Sequence, residues 1–297
     1  MGLNGILLVD KQAGWTSHDV VAKARRLVGE RRIGHSGTLD PMATGLLVLC
    51  IGQATRLVEY VSGHDKRYVG VITLGVATTT DDAEGEVVSE APAPQVAPET
   101  LRALEARFTG ELMQRPPAYS AVKVAGKRAY AVARKGGNLE LQARPVVVHR
   151  IGIRERGPGA LGIEVWCGAG TYIRSLARDI GEALGCGAHL SALRRLACGR
   201  FDVAEAVTLE RVAELAAAGK LEEVLWAPDE GVADHDAALI EGARADILRH
   251  GGSLTLREPP RRHAVAARLY DAGGEFVGMG RVEADGTIRP RKVLASG

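Results

Sequence analysis

Gly34-His35-Ser36-Gly37-Thr38-Leu39-Asp40-Pro41-Met42-Ala43-Thr44-Gly45 runs directly into an apolar hexapeptide, Leu46-Leu47-Val48-Leu49-Cys50-Ile51. Pro41 disfavours the helical region for the residue before it, so Asp40 is expected in an extended or turn conformation. Gly37 and Gly45 let the backbone turn tightly or approach a ligand closely. The hexapeptide has the length of a buried strand. One carboxylate is therefore predicted on a stiff loop at the mouth of a buried strand, a place where rigid scaffolds present catalytic groups. An Asp-Pro dipeptide alone reads as an ordinary turn just as well, so the remainder of the chain must decide.

Upstream, Gly5–Val9 predicts a short strand. A turn-rich loop from Asp10 follows, then a helix with Ser17 as N-cap and Val20, Val21, Ala24, Leu27 and Val28 on its apolar side. Downstream, Gln53–Tyr60 reads as helical and Tyr68–Leu74 as a strand. Thr78–Glu86 reads as a polar, acidic turn, and Ala91–Pro98, with three prolines, as a surface loop. Leu101, Leu104 and Phe108 mark a short helix. Leu161–Cys167 alternates like a strand and leads through Gly168-Ala169-Gly170 to a helix whose stripe is Ile173, Leu176, Ala177, Ile180 and Leu184. That order puts Thr171, Tyr172 and Arg174 at a helix N-terminus, where anions are favoured. The acidic stretch from Asp202 to about Asp236 reads as a surface helix pair. His263–Tyr270 and Phe276–Val282 form a hairpin around Asp271-Ala272-Gly273-Gly274.

A net charge of +2 conceals a division. Residues 1–201 carry +7, residues 202–241 carry −9 and residues 242–297 carry +4. Two basic regions suit a polyanionic partner. Within Gln114–Arg150 there are eight Lys/Arg and one acid, Glu140, with Tyr119 and Tyr130 among them. Interleaved bases and aromatics suit a nucleic-acid backbone with unstacked bases. Cys50, Cys167, Cys186 and Cys198 are scattered without a C-x-x-C pair, so neither a zinc site nor a disulfide framework is indicated. No apolar run is long enough to cross a bilayer, and the N-terminus does not read as a secretory signal. A cytoplasmic location fits these features.

The string GHSGTLDPMATG resembles the catalytic motif of the TruB-type pseudouridine synthases, with Asp40 at the position of their aspartate. Val9–Ser17, Lys66-Arg67-Tyr68, Gln114–Tyr130, Gly170–Arg174 and Leu190–Arg195 resemble further motifs of the family in the same order. The resemblance is strong over residues 5–200, and the tail from about residue 240 is more weakly similar to the family's PUA-type RNA-binding domain. It implies an α+β fold on a mixed, mostly antiparallel sheet, with a catalytic domain at 1–236, a thumb-like insertion at about 114–150 and a PUA-like domain at 237–297. The implied activity is isomerisation of uridine 55 in the T-arm of tRNA to pseudouridine, after the base is flipped out. Asp40 would be the nucleophile, ionised with help from Arg174, and Tyr172 a candidate for proton transfer. Tyr68 would stack on the base, Leu193 wall the uracil, and His35 fill the gap left by the extruded nucleotide. Lys11, Lys123 and Arg128 would contact the RNA. The reaction is redox-neutral, so no cofactor and no metal are implied. The partner would be tRNA, with no membrane and no guide RNA, and the protein a monomer that also assists tRNA folding. Ser36 stands where threonine is usual, and Gln12 where proline is common.

Overall fold

The computed structural model describes residues 2–120, 123–124, 127–128, 141–241, 244–256 and 264–294. A 10-stranded sheet forms the body of the molecule. Its main path runs Leu225–Trp226, Gly5–Lys11, Thr44–Ile51, Ala188–Cys198, Lys66–Leu74, Ala160–Cys167, Arg144–Glu155, Gly110–Gln114. Every pairing is antiparallel except that between Thr44–Ile51 and Ala188–Cys198. The expected mixed, mostly antiparallel sheet is thus the observed one.

Thr44–Ile51 and Gly5–Lys11 are buried on both sides, which explains their unbroken apolar runs. Leu7, Val9, Leu47, Leu49 and Ile51 enter the large core under helix Ser17–Val28. Ile6, Leu8, Leu46, Val48 and Cys50 enter a second core with Ala54, Val61 and Phe201. All four cysteines are buried and unpaired.

Several elements differ from expectation. Thr16, not Ser17, caps the first helix: its hydroxyl accepts from Asp19 N, and the Asp19 carboxylate answers to Thr16 N, a capping box. Gln53–Tyr60 is a 3-10 turn, Gly52–Leu57, continuing into helix Val58–Ser62. The acidic stretch is no surface helix pair. It holds one α-helix, Leu209–Ala217, then 3-10 turns, and Leu225–Trp226 adds a strand beside Gly5–Lys11. Its apolar residues are too few for a second helix face but suffice to close a sheet edge. The end of the basic stretch, Arg144–Arg150, belongs to the sheet strand Arg144–Glu155.

A separate five-stranded sheet runs Asp236–Ile240, Ala264–Asp271, Phe276–Val282, Thr287–Val293, Leu254–Thr255. The expected hairpin is its centre; His263 lies outside the described residues. Ile240, Leu248, Leu269, Val277 and Ile288 form its own core. Met279 and Leu294 pack against Leu57 and Val232 of the body, and the Tyr270 hydroxyl donates to Asp229 Oδ2 at 2.8 Å.

Candidate active site

The Asp40 loop connects strand Ile33–Ser36 to strand Thr44–Ile51, and side chains from elsewhere fasten its backbone. Ser17 Oγ receives Leu39 N at 2.8 Å and donates to Leu39 O at 3.1 Å. Pro41 O receives Gly14 N at 2.9 Å and Lys11 Nζ at 3.1 Å. Arg195 grips both ends, donating from Nη2 to Gly37 O at 2.9 Å and from Nε to Leu46 O at 2.7 Å. Gly37 takes φ 71° to begin the turn, in the left-handed region that glycine tolerates. Both neighbours of Asp40 are thus held, which fixes the base from which its carboxyl extends.

It points at Arg174, on the first turn of helix Ile173–Ala183. Arg174 Nη2 donates to Asp40 Oδ1 at 3.0 Å, and Nε forms an ion-pair contact with Oδ2 at 2.9 Å. The same guanidinium donates to Thr80 O at 2.9 Å and Tyr119 O at 3.0 Å, and Nη1 lies 3.4 Å from Asp82 Oδ2. The guanidinium is therefore shared between two carboxylates and two carbonyls, and it is 5% exposed. Burial raises the Asp40 pKa above the ordinary carboxylate range; Arg174 opposes this, and Asp82 adds to it. The pairing expected to keep Asp40 ionised is present, but desolvation outweighs it.

Asp40 and Arg174 line a cavity of about 260 Å³. Tyr68, Tyr172, Leu193, Tyr119, Lys66 and Arg195 also line it. Tyr68 is 7% exposed, and burial pushes its hydroxyl up to about 12. It therefore stays protonated. Tyr172 caps the Arg174 helix without using its side chain. Its backbone is held at both ends by the Gln114 amide, which accepts from Tyr172 N at 2.8 Å and donates to Tyr172 O at 3.1 Å.

Not every expected residue reaches this cavity. His35 lies on strand Ile33–Ser36, edge-on to His18 with ring centroids 5.7 Å apart. Burial lowers its pKa to about 4, so the imidazole is neutral at physiological pH. Lys11 is not free to contact RNA. It is 1% exposed, and its Nζ donates to Gln12 O at 3.0 Å, Trp15 O at 2.6 Å and Pro41 O. All three of its protons are spent on main chain, and burial lowers its pKa to about 8. Lys123 and Arg128 pair across a two-residue ladder; their side chains, with residues 121–122, 125–126 and 129–140 of the basic insertion, lie outside the described residues. Asp82 and Thr80 also serve the site, and no motif in the sequence singles them out; Ser17 and Gln114 serve it from the ends of two motif strings, where nothing local shows their role. Asp82 sits in what reads as a polar turn, and only the fold brings that turn under Arg174. Among the described residues no group of three or more His, Cys, Asp or Glu side chains could hold a metal, and no helix is long and apolar enough to cross a membrane.

Sheet and cavity together define an α+β protein with one carboxylate, paired to a buried arginine, at the mouth of a tyrosine-lined cavity. Residues 25–173 match the TruB family pseudouridylate synthase N-terminal domain. Residues 174–239 match the tRNA pseudouridylate synthase B C-terminal domain, and 239–294 the pseudouridine synthase II TruB C-terminal domain. A tRNA pseudouridine synthase B of Arthrobacter sp. is 46% identical over 288 residues, covering 92% of this chain and 94% of that protein. One from Xanthomonas campestris pv. campestris is 42% identical, covering 98% and 94%. Among solved structures, a chain of an H/ACA RNP bound to a substrate RNA containing 2′-deoxyuridine superposes with TM-score 0.76 at 23% identity, over 98% of this chain and 85% of that one. A chain of a Cbf5-Nop10-Gar1 complex gives 0.75 at 25% identity, over 98% and 85%. The chain belongs to the TruB family of pseudouridylate synthases.

Proposed function

We propose that the protein isomerises uridine 55 in the T-arm of tRNA to pseudouridine. The observation that carries this is the Asp40–Arg174 pair in a cavity walled by Tyr68, Tyr172 and Leu193; the names of its relatives supply the tRNA. A base inside a folded loop cannot reach such a cavity, so it is flipped out, at a cost offset by stacking on Tyr68. Asp40 attacks the nucleoside as the carboxylate, Arg174 orients it and opposes the upward pull of burial on its pKa, and Tyr172 transfers the proton. Leu193 bounds the uracil. His35, neutral and beside the Asp40 loop, fills the gap in the RNA. Lys123 and Arg128 contact the phosphate backbone from the insertion.

In this reading residues 1–236 are the catalytic domain and 237–297 a PUA-like module that makes a second RNA contact. The protein works in the cytoplasm as a monomer, without guide RNA or cofactor. Extruding a T-loop base opens tertiary contacts, so tRNA refolding accompanies turnover. The test is mass mapping of pseudouridine in tRNA treated with wild type and with Asp40→Asn. The variant should bind tRNA as the wild type does and form no pseudouridine; turnover by the variant would rule the assignment out.

A further inference from the structure

Two buried cations in the cavity wall have no carboxylate. Arg195 is fully buried; Nε and Nη2 cap Leu46 O and Gly37 O, and Nη1 is buried with no carbonyl or carboxylate acceptor among the described residues, the guanidinium lying against the Tyr68 hydroxyl. Lys66 is 6% exposed, and its Nζ donates to Ser62 O at 3.0 Å and His64 O at 2.6 Å, leaving a third proton unassigned. Neither lies within 4.0 Å of an Asp or Glu oxygen among the described residues. Neighbouring arginines are matched: Arg174 by Asp40, Arg178 by Asp81 and Asp179, Arg194 by Asp10. Burying an uncompensated cation is costly, and carbonyl dipoles offset only part of that cost. Ser120, with its own buried hydroxyl unpartnered, lines the same wall.

The sheet register aims the two charges. Arg195 is the cross-strand partner of Tyr68, so both side chains leave the sheet on one face. Lys66, two residues before Tyr68 on the same strand, shares that face. The positive charge therefore stands beside the ring on which, in the function proposed above, the uracil stacks.

We propose that Arg195 and Lys66 form a fixed positive field that stabilises the negative charge on the uracil once its bond to the sugar is broken. This rests on the functional reading above. The C1′–N1 bond breaks with its electron pair passing to N1, and the charge spreads to O2 and O4. Asp40 makes and later releases its own bond to the nucleoside. After the ring turns, the pair at C5 forms the C1′–C5 bond, the C5 proton is lost and N1 takes up a proton. The net change is an isomerisation with no co-reactant. Preorganised charge of this kind acts where charge develops and needs no reorganisation during the step. It also holds the detached anion in the cavity while it turns.

The experiment compares T-arm RNA carrying uridine with the same RNA carrying 5-fluorouridine, whose base departs as an intrinsically more stable anion. Single-turnover rates of glycosidic cleavage are measured for wild type, Lys66→Met, Lys66→Arg and Arg195→Met. Lys66→Met should lose roughly tenfold to a hundredfold on uridine RNA, distinctly less on 5-fluorouridine RNA, and Lys66→Arg should recover the rate. Arg195→Met should show the same inequality, and the ratio of the two substrates within one sample is insensitive to any misfolded fraction. Equal losses on both substrates would overturn the proposal. So would a loss confined to RNA affinity with a salt slope reduced by about one, the signature of a phosphate contact. Wild-type protein that leaves uridine RNA unchanged would instead overturn the underlying assignment.

Discussion

Replacing Arg174 by methionine removes the one cation that two carboxylates and two carbonyls share. Taking one partner from a buried ion pair costs about 3–5 kcal/mol. Asp40 keeps 33% of its side chain open to the cavity, so water screens its share, and a loss of about 3 kcal/mol at neutral pH is expected. The pH dependence is the sharper readout. Burial already raises the Asp40 pKa, and Arg174 is the chief force opposing it, so the variant's Asp40 pKa rises further. A carboxyl whose folded pKa exceeds its unfolded value holds its proton more tightly when folded. Its unfavourable contribution is absent below the unfolded pKa and fully developed above the folded one, at about 1.4 kcal/mol for each tenfold difference in proton affinity. The variant's deficit should therefore narrow as pH falls from neutral to about 4, the ordinary carboxylate value. In the proposed function Asp40 attacks as the carboxylate, so the acid limb of kcat/KM should move to higher pH. Urea unfolding at the two pH values and single-turnover rates across pH measure both effects. A deficit equal at both pH values, with an unmoved acid limb, would refute the electrostatic account of the pair.

Gly45→Ala should cost about 1–3 kcal/mol in urea unfolding, because φ is +95° and a Cβ there would overlap the Arg195 carbonyl oxygen. Lys11→Met should lower both stability and turnover by loosening Pro41, yet leave the salt slope of tRNA binding unchanged; a slope reduced by about one would restore Lys11 as an RNA contact. Gln114→Ala frees both backbone groups of Tyr172, so turnover should fall roughly tenfold or more with little change in tRNA affinity, as kinetics and binding on the same preparation would show.

The elements with strong local signals are legible in the chain. Pro41 after Asp40, the doubly buried run Leu46–Ile51, the strand–glycine–helix passage to Arg174 and the Asp271–Gly274 hairpin each have causes within a few residues of themselves. So do the acid and its arginine, because a motif string carries them. Lys11 misleads for the converse reason: a lysine in a turn looks solvated until the carbonyls of Trp15 and Pro41 are folded around it. Asp82 gives no local signal because its turn meets Arg174 only across 92 residues of sequence. The parallel pairing of Arg195 with Gly45, and the antiparallel one with Tyr68, puts in the cavity wall a cation with no carboxylate partner among the described residues. Local sequence determines which groups are present and how the chain turns near them. Which charge is matched and which left bare depends on long-range register, since Coulomb energies follow distance and burial rather than sequence order.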